Sequence, residues 1–272
     1  MNNSANAHPT SDLLDLTELP NYQVQFTHPR TSKYAICIPV INEGEKILKQ
    51  LQGMSAANFG LDIIIIDGGS TDGSMEPQRL QEKFTVNTLL VKTGPGKLSA
   101  QLRIAMAWAM AQGYEGIITI DGNGKDDYMA IPSFSEKLSA GYDHIQGSRY
   151  IPGGIAENTP FDRAMGVRLI HAPVISLGAG FKYTDTTNGF RGYSRNFLLN
   201  PAVRPFRNIF QTYNLHYYLA IRAPRLGFKV CEIPVTRKYP ATGPIPSKIN
   251  SLNGKLHILK QMFLAACGAY NP

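Results

Sequence analysis

Acidic and amide side chains stand directly after three apolar runs of this sequence. Asn42 and Glu43 follow YAICIPVI, Asp67 with Gly68, Gly69, Ser70 and Asp72 follows IIII, and Asp121 with Asn123 follows IITI. Carboxylates in such turns accept hydrogen bonds from ribose hydroxyls and base amines. They also hold Mg²⁺ or Mn²⁺, hard cations that prefer oxygen ligands and bridge phosphates. The glycines between them let a ligand come close to the backbone. Each motif alone also has a purely structural explanation, Asn42 and Glu43 as a helix cap and GGSTDG as a turn. In order, and each at the end of an apolar run, they point to a site.

The surrounding pattern says which elements hold these turns. YAICIPVI (34–41) is a short β-branched run, and EGEKILKQLQGM behind it places Ile47, Leu48 and Leu51 on one helical face. The unalternated run 63–66 reads as a strand buried on both faces. A helix over about 76–83, a strand VNTLLVKT, a helix LSAQLRIAMAWAMAQG ended by Gly113 and a strand YEGIITIDGNG follow. Strand and helix alternate four times, which predicts an α/β fold with a mostly parallel central sheet wound by right-handed crossovers and flanked by helices. Ligands of such sheets bind at the carboxyl ends of the strands, where the acidic turns fall. Further on, the pattern predicts a helix to Ala140, a strand at 144–147, a helix at about 162–177 and a strand in FKVCEIPVTR. The chain divides into an N-terminal extension (1–33), one α/β domain (34–250) and a C-terminal helix (251–272).

Composition excludes several classes. The 272 residues, 43% hydrophobic, suffice for one large core. The net charge of +7 is spread over a chain with only 17% charged residues, which suits polyphosphate substrates or anionic lipid surfaces. No basic run interleaved with aromatics argues for nucleic acid. Cys37, Cys231 and Cys267 are far apart and odd in number, as expected of thiols in a reducing compartment. The N-terminus lacks the basic start and apolar stretch of a secretory signal, so the expected location is cytoplasmic, with the inner face of the membrane as a further option. LHILKQMFLAACGAY (256–270) is shorter than the ~20 residues of a spanning helix. It reads as a helix packed on the domain or lying on a membrane surface.

With these motifs in hand, the sequence resembles the family 2 glycosyltransferases of the GT-A fold, in the dolichyl-phosphate mannose synthase-like branch, over residues 34–249. IPVINE and IIIDGGSTDGS look like the family's two nucleotide-binding turns, and IDGNG like its metal-binding acidic turn. QGSRY and DTTNGFRGYSR look like its acceptor-side motifs, and EIPVTRKYPATGPIPSK like its late basic loop. The resemblance implies a nucleoside pocket lined by Pro39, Asn42, Glu43 and Asp67, with Gly69 and Ser70, and adds Lys97 to the donor-binding residues. It implies that Asp121 and Asn123 lie beside Mg²⁺ or Mn²⁺ and the diphosphate. Ser148 and Arg149, with Arg163 or Arg168, would face the acceptor, and Arg191, Arg237 and Lys248 would neutralise phosphate. Two departures stand out. The family's usual Asp-x-Asp is Asp121-Gly122-Asn123 here, and Lys125 stands where mannose synthases often have glutamine. Asp126 or Asp127 would then complete the metal shell, or the Lys125 ammonium would stand in for the metal's charge.

The implied activity is transfer of a sugar, with inversion, from a nucleotide-sugar donor. The acceptor is either a polyprenyl phosphate at the cytoplasmic membrane face, with peripheral membrane association, or a hydroxyl of a glycan or soluble molecule. A phosphate acceptor needs no base, whereas a hydroxyl needs a carboxylate within reach. Candidate bases are Asp185, Asp126 and Asp127, with a turn cap or a place in the metal shell as the alternatives for Asp185. His171 and His216 read as packing residues, as does the aromatic face of FQTYNLHYYL. A different class, a nucleotide-sugar binding protein without catalysis or metal, is the competing reading of the altered acidic turn.

Overall fold

A computed structural model of the chain describes residues 18–241 and 252–272. The strands are β1 (Tyr22–Thr27), β2 (Tyr34–Val40), β3 (Asp62–Asp67), β4 (Val86–Lys92), β5 (Gly116–Thr119), β6 (His144–Ser148), β7 (Ile155–Glu157), β8 (Arg191–Ser194), β9 (Val230–Pro234) and β10 (Thr236–Lys238). The helices are α1 (Glu45–Ala57), α2 (Pro77–Lys83), α3 (Leu98–Ala111), α4 (Ile131–Ser139), α5 (Phe161–Gly166), α6 (Ala172–Ala179), α7 (Arg195–Leu198), α8 (Asn214–Arg225) and α9 (Leu252–Ala266).

Eight strands form one sheet in the order β1-β4-β3-β2-β5-β8-β6-β9, and β7 pairs with β10 beside it. Strands β4, β3, β2 and β5 are mutually parallel. From β2 the chain winds outward through β3 to β4, then returns to place β5 on the other side of β2. The winding direction therefore reverses between β2 and β5, and a crevice opens at their carboxyl ends. Asn42 and Asp121 lie just beyond those two ends.

Alternate residues of each central strand feed opposite layers. Ala35, Cys37, Ile64 and Ile66 pack against α3 and α8, while Ile36, Ile38, Ile63 and Ile65 pack against α1, α2 and α4. This two-sided burial is why β3 reads as a continuous apolar run. Pro39 is tolerated inside β2 because it lies past Cys37, where the β2–β5 ladder ends. A third cluster, with Ile175, Tyr217, Ile221 and Met262, joins α6, α8 and α9, so the C-terminal helix packs on the domain. Among the described residues, no helix is long and apolar enough to cross a membrane.

Two features differ from the sequence reading. Residues 22–27, expected in the extension, form the edge strand β1, antiparallel to β4. Its signal was present in the alternation of Tyr22, Val24 and Phe26. The helix expected over about 162–177 is α5, then a π turn at Val167–His171, then α6. The irregularity immediately precedes Pro173, in the first turn of α6, where the missing N–H breaks the α-helical ladder.

Candidate active site

The first two acidic turns are laced into one bracket. Asp67, buried at the end of β3, accepts from the Ser70 N–H at 3.0 Å and from its hydroxyl at 2.6 Å. The Ser70 Oγ accepts from the Asn42 N–H at 2.9 Å, and Asn42 Oδ1 accepts from the Thr71 N–H at 2.8 Å. Asp72 accepts from the Gly44 N–H at 2.8 Å. Asn42 takes the left-handed conformation (φ 50°), which asparagine tolerates better than most residues. Beneath the bracket, the buried Gln101 amide donates to the carbonyls of Val40 and Ile66 at 2.8 and 2.9 Å, tying the ends of β2 and β3 together. Gly69 is exposed with open space where a side chain would begin. Replacing Asp67 by alanine removes the acceptor on which the Ser70 turn is built. Nucleotide affinity should fall about tenfold to a hundredfold, more than the rate of the chemical step. Calorimetry checks this, and an unchanged affinity would remove Asp67 from the pocket.

The third turn, after β5, is held by the late basic segment. Asp126 forms a β-bridge with Arg237, the Asp127 N–H donates to Thr236 O at 3.0 Å, and the Lys238 N–H donates to Lys125 O at 2.8 Å. The Arg237 guanidinium thereby spans two carboxylates, Nη1 on Asp126 and Nη2 on Asp121 at 3.0 Å. Burial alone would push Arg237 down, but Asp126 and then Asp121 outweigh it and hold its pKa above the usual arginine range. The Lys125 ammonium lies 5.1 Å from the centre of the Tyr239 ring; burial, and then Arg237, push its pKa down.

Asp121 is the member of this turn that lines the adjacent cavity. Asn123 donates its amide N–H to Asp121 Oδ2 at 3.3 Å, and its carbonyl accepts from the Lys125 N–H at 3.2 Å, so the amide is engaged within the turn. Asp127 is exposed and caps the short 3-10 turn that follows. Among the described residues no group of three His, Cys, Asp or Glu side chains can hold a metal ion. The donor set suits a cation that takes one protein carboxylate and completes its shell with phosphate oxygens and water, a mode common for Mg²⁺. Gly189 leaves room for this, since a Cβ there would lie 2.6 Å from Asp121 Oδ1.

On the opposite wall, Arg149 follows β6 and grips Asp185 with two bonds, Nε to Oδ2 at 2.6 Å and Nη2 to Oδ1 at 3.0 Å. Nη2 also donates to Thr187 Oγ1 at 2.9 Å, while Nη1 has no hydrogen-bond partner among the described residues. Burial lowers the Arg149 pKa, and Asp185 more than restores it. Asp185, expected as a base, cap or metal ligand, is fully buried and held by this arginine. Asp126 is likewise shut behind Arg237. Ser148 is buried beneath the wall, sharing a 2.5 Å hydrogen bond with Thr184. Arg191, expected on phosphate, spends its donors on backbone: Nε on Asn188 O at 2.9 Å, Nη1 on His216 O and Nη2 on Thr186 O, each at 2.7 Å. It clamps the wall. Lys248 lies outside the described residues.

These walls enclose a cavity of about 420 Å³. It brings together Asp121, Arg149, Arg163, Arg191 and Arg237 from the predicted set. Pro39, Asn42, Glu43, Asp67, Gly69, Ser70 and Lys97 do not line it; all but Lys97 sit at or just past the ends of β2 and β3, and Lys97 precedes α3. The sequence reading did not assign Thr186, Tyr213 and Lys255 to the wall, and took His171 and His216 for packing residues, yet all five line it. Their apolar or loop settings hid them, although the polar run DTTNGFRG already held Thr186. Arg168 stacks on Tyr150, 4.7 Å from the ring centre.

No family model matches the sequence. The chain is 27% identical over 210 residues to polyprenol monophosphomannose synthase of Mycolicibacterium smegmatis, covering 76% of this chain and 77% of that protein. It is 26% identical over 201 residues to undecaprenyl-phosphate mannosyltransferase of Micrococcus luteus, covering 73% and 81%. Among solved structures, glucosyl-3-phosphoglycerate synthase from Mycobacterium tuberculosis, in complex with Mn²⁺, uridine diphosphate and glucosyl-3-phosphoglycerate, superposes with a TM-score of 0.59. It shares 17% identity over 88% of this chain and 80% of that one. The mostly parallel sheet, with acidic turns at its reversal point and an arginine-walled crevice, is that of the GT-A fold, and the sequence relatives mark the chain as a glycosyltransferase. The sequence relatives are polyprenyl-phosphate mannosyltransferases and the structural neighbours have the GT-A fold, in line with the resemblance to the dolichyl-phosphate mannose synthase-like glycosyltransferases.

Proposed function

We propose that this enzyme moves a hexosyl group, with inversion, from a nucleoside-diphosphate sugar to a polyprenyl phosphate at a membrane surface. The observation that carries the reading is the state of the carboxylates. Asp126 and Asp185 are sealed behind arginines, Asp127 lies outside the cavity, and the two carboxylates on its wall, Asp121 and Asp162, are paired with Arg237 and Lys255. Among the described residues, every carboxylate on the cavity wall is thus paired with a cation, which favours an acceptor that is already anionic and needs no base. Arg149 and Arg163 on the same wall suit a phosphate. The relatives named for polyprenol and undecaprenyl phosphate support the same acceptor class.

In this reading the nucleoside rests on the Asn42–Asp67 bracket, with its diphosphate directed toward Asp121. An oxygen of the acceptor phosphate bonds to the anomeric carbon as the bond from that carbon to the diphosphate breaks on the opposite face. Charge then develops on the departing diphosphate, where Arg237 and Lys125 are fixed in advance and need no reorganisation. A divalent cation held by Asp121 together with the phosphates would add neutralising charge there.

Exposed apolar side chains occur on α5, the π turn, α6 and α9, and α5, the π turn and α9 also contribute residues to the cavity wall. Phe161 on α5, Leu169 in the π turn, Leu177 on α6, and Leu256 and Phe263 on α9 all face solvent, and Lys255 stands among them at the cavity rim. Such a face supports peripheral docking on an anionic lipid surface.

The test is release of nucleoside diphosphate from UDP-, GDP-, dTDP- and CDP-sugars, with Mn²⁺, Mg²⁺ or chelator, with and without polyprenyl phosphate in vesicles. Release that requires the lipid phosphate and is lost in chelator is expected. Transfer only to hydroxyl acceptors would overturn the acceptor assignment, and binding without release under every condition would make the chain a non-catalytic binder.

A further inference from the structure

Three buried polar atoms of residues on the cavity wall have no hydrogen-bond partner among the described residues: Thr186 Oγ1, His216 Nε2 and His171 Nδ1. Leaving such atoms unsatisfied is costly, so their occurrence in three residues that line one cavity calls for an explanation. Two of them are placed by one group. The Arg191 guanidinium, itself buried, holds the backbone carbonyls of Thr186 and His216 at 2.7 Å each, fixing the loop before β8 and the first turn of α8 against each other. The third comes from the π turn, whose extra residue re-aims the side chains of that helix face.

We propose that Thr186 and His216 form the subsite that reads a hydroxyl of the donor's sugar ring, with Arg191 as the residue that positions both. The inference rests on the glycosyltransferase reading and adds to it the residues that recognise the sugar.

The chemistry of these groups selects a hydroxyl over a phosphate. Burial, with Arg191 adding to it, keeps His216 well below the usual histidine pKa, and burial also lowers His171. A neutral imidazole offers one N–H donor and one acceptor nitrogen, and a threonine hydroxyl both donates and accepts. A sugar hydroxyl has the same dual character, whereas a phosphate oxygen only accepts. The cations that suit phosphate, Arg149, Arg163 and Arg237, line the same cavity on other segments, and Arg191 gives the hydrogen bonds described here to carbonyls. The cavity therefore holds an anion-binding part and a neutral, hydroxyl-binding part.

The experiment compares wild type with Thr186→Val and His216→Phe, each of which keeps a similar volume while removing the polar atom, and with His216→Gln as the conservative replacement. Three quantities are measured: affinity for the nucleoside diphosphate alone, KM for the intact nucleotide sugar, and discrimination against donors lacking one ring hydroxyl at a time. In the two apolar variants the KM should rise about tenfold to a hundredfold while nucleoside diphosphate affinity stays within twofold. Wild type should reject one particular deoxy donor, and the variants should lose that discrimination, with His216→Gln recovering part of it. Unchanged KM and discrimination in both variants would overturn the subsite alone, as would equal loss of nucleoside diphosphate and nucleotide-sugar binding. A wild-type protein that turns over no donor at all would overturn the glycosyltransferase reading and the subsite with it.

Discussion

Replacing Arg237 by alanine should lower both the melting temperature and the turnover of this enzyme more than any other single change at the site. The guanidinium is almost wholly buried and bridges Asp126, whose side chain is fully buried, and Asp121, whose side chain is a quarter exposed. Its loss leaves the Asp126 carboxylate inside the protein with no cation, a change that typically costs about 3–5 kcal/mol. In a domain of this size that is on the order of a 10 °C fall in Tm. Turnover should drop about 10²- to 10³-fold, because the fixed charge proposed to stand beside the departing diphosphate is gone. The two effects separate in the double variant Arg237→Ala with Asp126→Asn, which removes the stranded charge. Stability should recover in large part while turnover stays low. A double variant as unstable as the single one would mean that the ion pair is not what holds this segment.

The second large effect is expected at Arg149. Asp185 accepts two bonds from its guanidinium and, among the described residues, forms no other ion pair. Arg149→Ala should therefore also destabilise by about 3–5 kcal/mol. Its functional signature differs from that of Arg237: the KM for the acceptor should rise more than tenfold while nucleoside diphosphate affinity remains within about twofold. Arg149→Lys should recover little, because an ammonium cannot match the planar two-bond grip on Asp185. Steady-state kinetics at varied acceptor, alongside calorimetry with the nucleotide, decides the matter. Equal loss of donor and acceptor binding would place Arg149 elsewhere in the reaction.

Much of the frame was legible because local signals agreed. The unbroken apolar run of β3 and the helical face of α1 marked their elements, and the acidic residues fell where parallel strands end. What remained hidden were partnerships between distant residues. Asp185 looks like a base in DTTNGFRG, and nothing local shows that Arg149, 36 residues earlier, will cover it. Asp126 and Arg237 are 111 residues apart. Arg191 looks like a phosphate ligand until three backbone carbonyls claim its donors. His216 sits in an apolar helical stretch, and only the packing of α8 against the loop before β8 places it on a cavity wall. Conversely, β1 could have been read from its alternation, but the prolines on either side made the segment look like a tail.

The lacing of Asn42, Ser70, Thr71, Gly44 and Asp72, set on the Gln101 staple, also bears on the timing of each catalytic cycle. Both loops of the proposed nucleotide pocket are already cross-braced by the protein's own groups, so their conformational freedom is surrendered once, when the chain folds, and not again with every substrate molecule. Donor capture should accordingly be a fast encounter with a finished surface, which leaves the steps at the proposed acceptor side to set the rhythm of turnover.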